Sequence, residues 1–182
     1  MRHRDLVIQG LRLLRPFTRV LEIGCNAGPM LRRIHREWPG LHLAGMDVNR
    51  EAVNHGLAAA RSEGWEWDAY AGDFTAGLRA LTEPYDVVVS CYALAYAGPE
   101  QIDGVMAEVA RLARGGVVLA EPMIRGPSRR LETHPDASVE WAHDVEGLLR
   151  GRVEAKTIWT RWTVDPPVDR LDGVLVARRP RA

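Results

Sequence analysis

Apolar positions along the chain follow two periods that take turns. Val20, Leu21 and Ile23 form a short run that ends at a glycine, which predicts a strand over residues 18–23. Met30, Leu31, Ile34 and Trp38 then recur at helical spacing, with Arg32, Arg33, Arg36 and Glu37 on the other face. Pro39 and Gly40 end that helix. The pattern repeats with a strand at 41–46 and a helix capped by Asn49 that runs to about residue 62, with Val53, Leu57 and Ala60 inward, before Gly64. A third strand is expected near 66–71, then a short helix near 76–81 and a turn at Pro84. Val87, Val88 and Val89 are β-branched and consecutive, as in a strand covered on both faces. Pro99 suits the first turn of a helix whose inward positions are Ile102, Val105, Met106, Val109 and Leu112. Gly115 and Gly116 then turn the chain into a fifth strand at 117–121. Residues 122–136 show no period and read as a loop, residues 138–150 as a helix, and 153–163 and 171–178 as strands joined by the turn-rich DPPVDR.

Alternating strands and helices predict an α/β fold, a mostly parallel sheet with helices on both faces. A length of 182 residues with 46% hydrophobic content fills one core, so a single domain over 1–182 is expected. Within it, 1–17 precede the first strand as a helix, and 122–143 form a candidate substrate loop or lid. Lys plus Arg and Asp plus Glu both number 24, so no net positive field draws the chain to nucleic acid. The first residues lack a signal-peptide pattern and no apolar run is long enough to span a membrane, so a cytoplasmic location is expected. Cys25 and Cys91 are too few for a disulfide framework, and the six scattered histidines show no metal-ligand spacing. Neither a metal nor a disulfide is expected.

The candidate chemistry lies at the strand ends. Gly24 and Gly28 bracket the first strand-to-helix turn as G-C-N-A-G, a G-x-G-x-G register with Asn26 at the middle position. This spacing differs from the G-x-G-x-x-G of dinucleotide oxidoreductases, whose pyrophosphate needs the helix N–H groups. Glu22, two residues before the first glycine, would suit a cationic amino group. Asp47 ends the second strand, where a carboxylate can accept from both hydroxyls of a ribose, and Val48 could line the adenine. Asp73 follows the third strand, able to accept from an adenine amino group while Phe74 packs on the ring.

Through VLEIGCNAG, LAGMDVNREAV, AGDF, YDVVVSCYAL and ARGGVVLAEP, in that order, the chain resembles the class I S-adenosylmethionine-dependent methyltransferases. The resemblance runs from about residue 18 to residue 122. It implies a Rossmann-like, doubly wound sheet of seven strands with the last strand antiparallel. It also implies S-adenosylmethionine as methyl donor and S-adenosylhomocysteine as product. By the same resemblance the glycine loop and the segment after the fourth strand hold the methionine part, through Glu22, Gly24, Cys25, Asn26, Gly28 and Cys91. Asn26 departs from the usual glycine.

The acceptor side is less marked. A sulfonium methyl group is already activated, so alignment and exclusion of water supply much of the catalysis, and a base matters only for acceptors that must lose a proton. Candidate catalytic residues are Tyr92, Glu121, His134 and His143, with Tyr96 as a second wall; loop capping is the competing role for Glu121, and an ordinary surface position for the histidines. Arg125, Arg129 and Arg130 could bind an anionic acceptor or be a solvated face; Trp141, Trp159 and Trp162 could form a wall or belong to the core. Asp165-Pro166-Pro167-Val168 resembles part of an amino-methylating nucleic-acid box, but that box belongs after the fourth strand, so it reads as a turn. The expected activity is methyl transfer to a small molecule by a monomer or homodimer. The alternatives are a protein or RNA acceptor, a non-catalytic cofactor binder, or a nicotinamide-dependent oxidoreductase.

Overall fold

The computed structural model describes residues 2–131, 139–153, 156–161 and 171–178. Helix α1 (Arg2–Leu14) precedes three βα units: β1 (Arg19–Ile23) and α2 (Pro29–Glu37), β2 (His42–Asp47) and α3 (Arg50–Ser62), β3 (Asp68–Ala71) and the short α4 (Ala76–Ala80). Then come β4 (Tyr85–Cys91), a turn of 3₁₀ helix (Leu94–Tyr96), α5 (Ile102–Leu112) and β5 (Ala113–Met123). The chain continues through β6 (Arg129–Leu131), β7 (Glu140–Ala142), α6 (Val145–Leu149), β8 (Lys156–Arg161) and β9 (Leu171–Arg178). Seven strands form one sheet in the order β3-β2-β1-β4-β5-β9-β8, in which β9 runs antiparallel to both its neighbours. The expected sheet, with its last strand reversed, is present.

Strand parity sorts the side chains into two cores. Val20, Val87, Val89, Val118, Ala120, Val174 and Val176 face one side, under Val7, Ile8 and Leu11 of α1, Met30, Leu31 and Ile34 of α2, and Val53 of α3. Leu21, Ile23, Val88, Leu119 and Leu175 face the other, under Leu78 of α4, Ile102, Val105, Met106 and Val109 of α5, and Val145 of α6. Each central strand is therefore apolar at consecutive positions, as a strand covered on both faces must be.

Three expectations change. Gly115 and Gly116 lie inside β5, where close neighbours require them: a Cβ on Gly116 would stand 2.4 Å from the carbonyl oxygen of Ala177, and one on Gly115 2.7 Å from that of Asp86. The segment read as a loop from residue 122 instead continues β5 to Met123 and then contributes β6. The helix expected over 138–150 is a strand, β7, followed by the short α6. Asp144 divides the two, because its side chain accepts from the N–H of Gly147 at 2.8 Å and so caps α6 there. Pairing of β6 with β7 makes a small second sheet beside the main one. His134, Trp162 and the 165–168 motif lie outside the described residues.

Candidate cofactor site

β1 delivers the chain to a loop held open by backbone geometry. Gly24, Asn26 and Gly28 have φ of 70°, 49° and 71°, so every second residue sits in the left-handed region. Asn26 tolerates what a branched residue would not, and its Oδ1 accepts from the N–H of Ala27 at 2.7 Å. Gly24 is fixed twice over, since a Cβ there would lie 2.1 Å from that of Ala93. The N–H groups of Gly24 and Cys25 both donate to the Met46 carbonyl, at 2.7 and 3.0 Å, which ties the loop to β2.

Asp47 completes that tie. Its Oδ2 accepts from the N–H of Asn26 at 2.7 Å and its Oδ1 from the N–H of Asn49 at 2.8 Å. A carboxylate has about four lone-pair sites, so capacity remains for further donors. Asp73 accepts at one oxygen, Oδ1, from the Thr75 hydroxyl at 2.9 Å, the Thr75 N–H at 2.8 Å and the Ala76 N–H at 2.7 Å. Those donors hold its carboxyl below the ordinary aspartate value, the Thr75 hydroxyl first among them.

Around these groups lies a cavity of about 590 Å³. Asp47, Val48, Asp73 and Phe74 line it, together with Gly24 and Asn26 of the glycine loop and with Cys91, Tyr92 and Tyr96 from the end of β4 onward. Val48 is 75% exposed, an apolar surface left open at the rim, suited to a flat ring. Tyr92 has φ 58°, with its N–H donating to the Ala120 carbonyl at 2.9 Å and its ring edge-on to His3 at 5.4 Å. The hydroxyl of Tyr96 donates to Glu140 of β7 at 3.1 Å, so the cavity wall is joined to the small second sheet. Cys91 is half-buried, and burial pushes its thiol up to about 12, which leaves it protonated at neutral pH.

Several expected residues do not line this cavity. Cys25 is 1% exposed and packs into the core under α2, where its sulfur comes within 2.8 Å of the position a Cβ on Gly45 would take. Burial pushes that thiol far above its usual range as well. Gly28 shapes the turn but borders a neighbouring cleft. Glu22 is 2% exposed, its Oε2 has no hydrogen-bond partner, and burial raises its carboxyl well above the ordinary value.

Glu121 and His143 do not line the cavity either, and both are bonded within the fold. Glu121 accepts from the Ser90 hydroxyl at 2.7 Å and from the N–H groups of Ala93 and Ala95 at 3.2 and 3.3 Å, so it holds the segment that follows β4. His143 is 1% exposed, with Nδ1 2.7 Å from the Ser128 hydroxyl and Nε2 3.0 Å from the Ala97 carbonyl. The carbonyl can only accept, so Nε2 carries the proton and Nδ1 accepts from Ser128, while burial lowers the affinity of the ring for a second proton. Arg125, Arg129 and Arg130 are exposed, and Trp141 is half-buried.

The cavity also includes Ala93, within the segment after the fourth strand, and Met46, Gly72, Thr75 and Gln101, which sequence reasoning missed. Gly72 and Thr75 flank Asp73 and could have been carried with it; Gln101 gave no signal, because only the folded turn brings it round. Among the described residues no group of three His, Cys, Asp or Glu side chains is placed to hold a metal, and no helix is long and apolar enough to cross a membrane.

Sheet order, glycine loop and acidic strand ends define a doubly wound domain with its cavity at the carboxyl ends of the strands. A family model described as a methyltransferase domain matches residues 20–116, over half of the chain, and the chain belongs to that family. It is 29% identical over 150 residues to a trans-aconitate 2-methyltransferase of Streptomyces avermitilis, covering 80% of this chain and 55% of that protein. The chain thus spans about half the length of this curated relative. Among solved structures it resembles a magnesium protoporphyrin IX methyltransferase (ChlM) from Synechocystis PCC 6803 with bound SAM, with a TM-score of 0.68 and 18% identity over 98% of this chain and 80% of that one. It also resembles the N-terminal domain of EvdMO1 in the presence of SAH and D-fucose, with a TM-score of 0.75 and 16% identity over 98% and 83%. At such identities the likeness is one of fold.

Proposed function

We propose that this protein binds S-adenosylmethionine and transfers its methyl group to a small-molecule acceptor, leaving S-adenosylhomocysteine. The observation that carries the reading is one cavity with two carboxylates, Asp47 and Asp73, placed for the adenosine it would hold, joined by a glycine loop to Glu22, one of whose buried oxygens has no hydrogen-bond partner. Asp47 would accept from the ribose hydroxyls, Val48 and Phe74 would flank the adenine, and Asp73 would accept from its amino group. Glu22 would face the ammonium group of the methionine part, whose positive charge would compensate a carboxylate that burial otherwise disfavours. When bound, the cofactor supplies a methyl group already activated by the sulfonium.

What the chain adds is alignment and exclusion of water. Tyr92 and Tyr96 wall the end where transfer would occur, and Glu121 fixes the backbone that carries them. Glu121 and His143 lie outside the cavity lining and are engaged in bonds within the fold, so the proposed transfer uses neither as a base. This favours acceptors that need no base, and small carboxylic acids are the first to test, in keeping with the trans-aconitate named for the relative. A protein or RNA acceptor, or a cofactor binder without turnover, remains the alternative to a negative result on small molecules. The G-x-G-x-G register argues against a dinucleotide.

Calorimetry with S-adenosylhomocysteine should show saturable binding that Asp47→Ala weakens by about 1–3 kcal/mol, through lost ribose bonds and a loosened Asn26 turn. No heat and no thermal shift with the wild type would reject the reading. Transfer of labelled methyl to a panel of small carboxylic acids then tests the acceptor class, a base-labile methyl ester being the expected product.

A further inference from the structure

The polar face of α2 forms one wall of a cleft. Met30, Leu31 and Ile34 bury one side of the helix, and Pro29, Arg32, Arg33 and Arg36, at helical spacing on the other side, line the space beside the glycine loop. Its volume is about 460 Å³, within the range of small-ligand sites. α1 contributes Arg4 and Asp5 to the same cleft, and Glu63, which caps the end of α3, closes it on a third side.

Four guanidiniums thus border the cleft against two carboxylates. Both carboxylates are already engaged: Glu63 accepts from the Nε of Arg32 at 2.7 Å, and Asp5 meets Arg33 at 3.3 Å. Arg4 and Arg36 have no ion-pair partner among the described residues. Arg32 and Arg36 also stand one turn apart on α2, where like charges repel. A concave wall with uncompensated charge of one sign concentrates its field in the space it encloses. The floor is made of small residues, and a Cβ on Gly56 would lie 2.5 Å from the Ala27 carbonyl oxygen, so α3 rests directly on the back of the glycine loop. Of the residues that line the cofactor cavity, only Asn26 also borders this cleft. A molecule held here is therefore separate from the methyl acceptor, whose end of the site is walled by Tyr92 and Tyr96.

We propose that this cleft is a second binding site, distinct from the cofactor cavity, for a small anion with two or more negative groups, of the polyphosphate or polycarboxylate class, held by Arg4 and Arg36. A guanidinium presents paired N–H donors that fit a phosphate or a carboxylate in two-point contact. Two such groups stand uncompensated, so an anion with one charge would neutralise only half of the excess. Arg32 and Arg33 are held in place by their own carboxylates and keep further N–H donors, because each guanidinium has five.

Calorimetry with tripolyphosphate and with citrate, at one fixed ionic strength, tests the site. At least one of the two should bind the wild type with a Kd below about 1 mM, and the one that binds distinguishes the polyphosphate from the polycarboxylate class. Arg4→Gln and Arg36→Gln should each weaken that binding about ten-fold, the usual loss for a charged hydrogen-bond pair. Arg79→Gln removes an exposed charge from α4, outside the cleft, and should leave the affinity within about two-fold because salt screens it. Thermal melts of the unliganded variants should match the wild type, since neither Arg4 nor Arg36 has an ion pair to lose. Protein saturated with S-adenosylhomocysteine should still take up the anion. No heat with either anion, equal losses from Arg36→Gln and Arg79→Gln, melts lowered in step with the affinity, or an anion excluded by S-adenosylhomocysteine would each overturn the assignment, and none of them touches the function proposed above.

Discussion

Two glutamates stand near the ends of β1 and β5, the strands on either side of β4, and their surroundings give them different tasks. Glu22 faces the α1 layer with one oxygen unpartnered, whereas Glu121, of opposite parity, faces the α5 layer and accepts three hydrogen bonds. Burial raises Glu121 to about 7 in spite of those bonds, from an ordinary value of 4.5. A raised folded value means that the folded state holds its proton more tightly than the unfolded chain. The stability tied to this proton is fully present below pH 4.5 and is lost as the pH rises through about 7. The expected loss is roughly 3 kcal/mol across that window. Glu121→Gln keeps an acceptor for the backbone and cannot ionise, so its urea midpoint should vary less between pH 4.5 and 7.5 than that of the wild type. Equal pH slopes for the two proteins would remove Glu121 as the cause. Glu22 titrates with the same sign, which is why the difference between proteins, and not the wild-type slope alone, is the measurement.

Among the elements, the ones with strong periodicity were legible. α5 appears where Ile102, Val105, Met106, Val109 and Leu112 placed it, and Asn49 caps α3 by accepting from the N–H of Ala52 at 3.1 Å. The arm made by β6 and β7 was not legible, because strands of three residues carry too little pattern to announce a period. What holds the arm is long-range: His143 bonds Ser128 on one side and Ala97 on the other, and the N–H of Ile124 donates to the His143 carbonyl at 3.1 Å. His143→Ala removes both side-chain bonds and leaves a void, with an expected cost of roughly 2–4 kcal/mol. Hydrogen exchange should accelerate at 123–128 and 140–144, with S-adenosylhomocysteine affinity within about two-fold of wild type. A large loss of cofactor affinity with unchanged exchange would instead place His143 in the site.

For the whole molecule, α1 is as much a part of the core as any element the family model covers. Val7, Ile8, Leu11 and Leu14 are buried against the sheet, and the helix crosses so closely that a Cβ on Gly10 would lie 2.8 Å from Val176. Burying four such side chains contributes roughly 6–12 kcal/mol, comparable to the net stability of an ordinary domain. A chain beginning at residue 15 should therefore fail to give a cooperative melt and should aggregate, as circular dichroism and light scattering would show. A native-like melt from that truncation would mean that α1 is not a support of the fold.

The α/β order, the acidic strand ends and the glycine register were all present in the linear chain, because each depends on spacing between near neighbours. Asn26 at the middle position was readable as a turn residue, and its φ of 49° agrees. Spacing also put Glu22 and Glu121 at the ends of β1 and β5, although not what each would meet. Those encounters required the folded chain: Glu121 with Ser90, Cys25 under α2, and His143 between Ser128 and Ala97. The partners stand far apart in sequence, so no local period encodes them. They meet only because the packed helices and the sheet order bring the strand ends, α1 and the β6–β7 arm around one cavity.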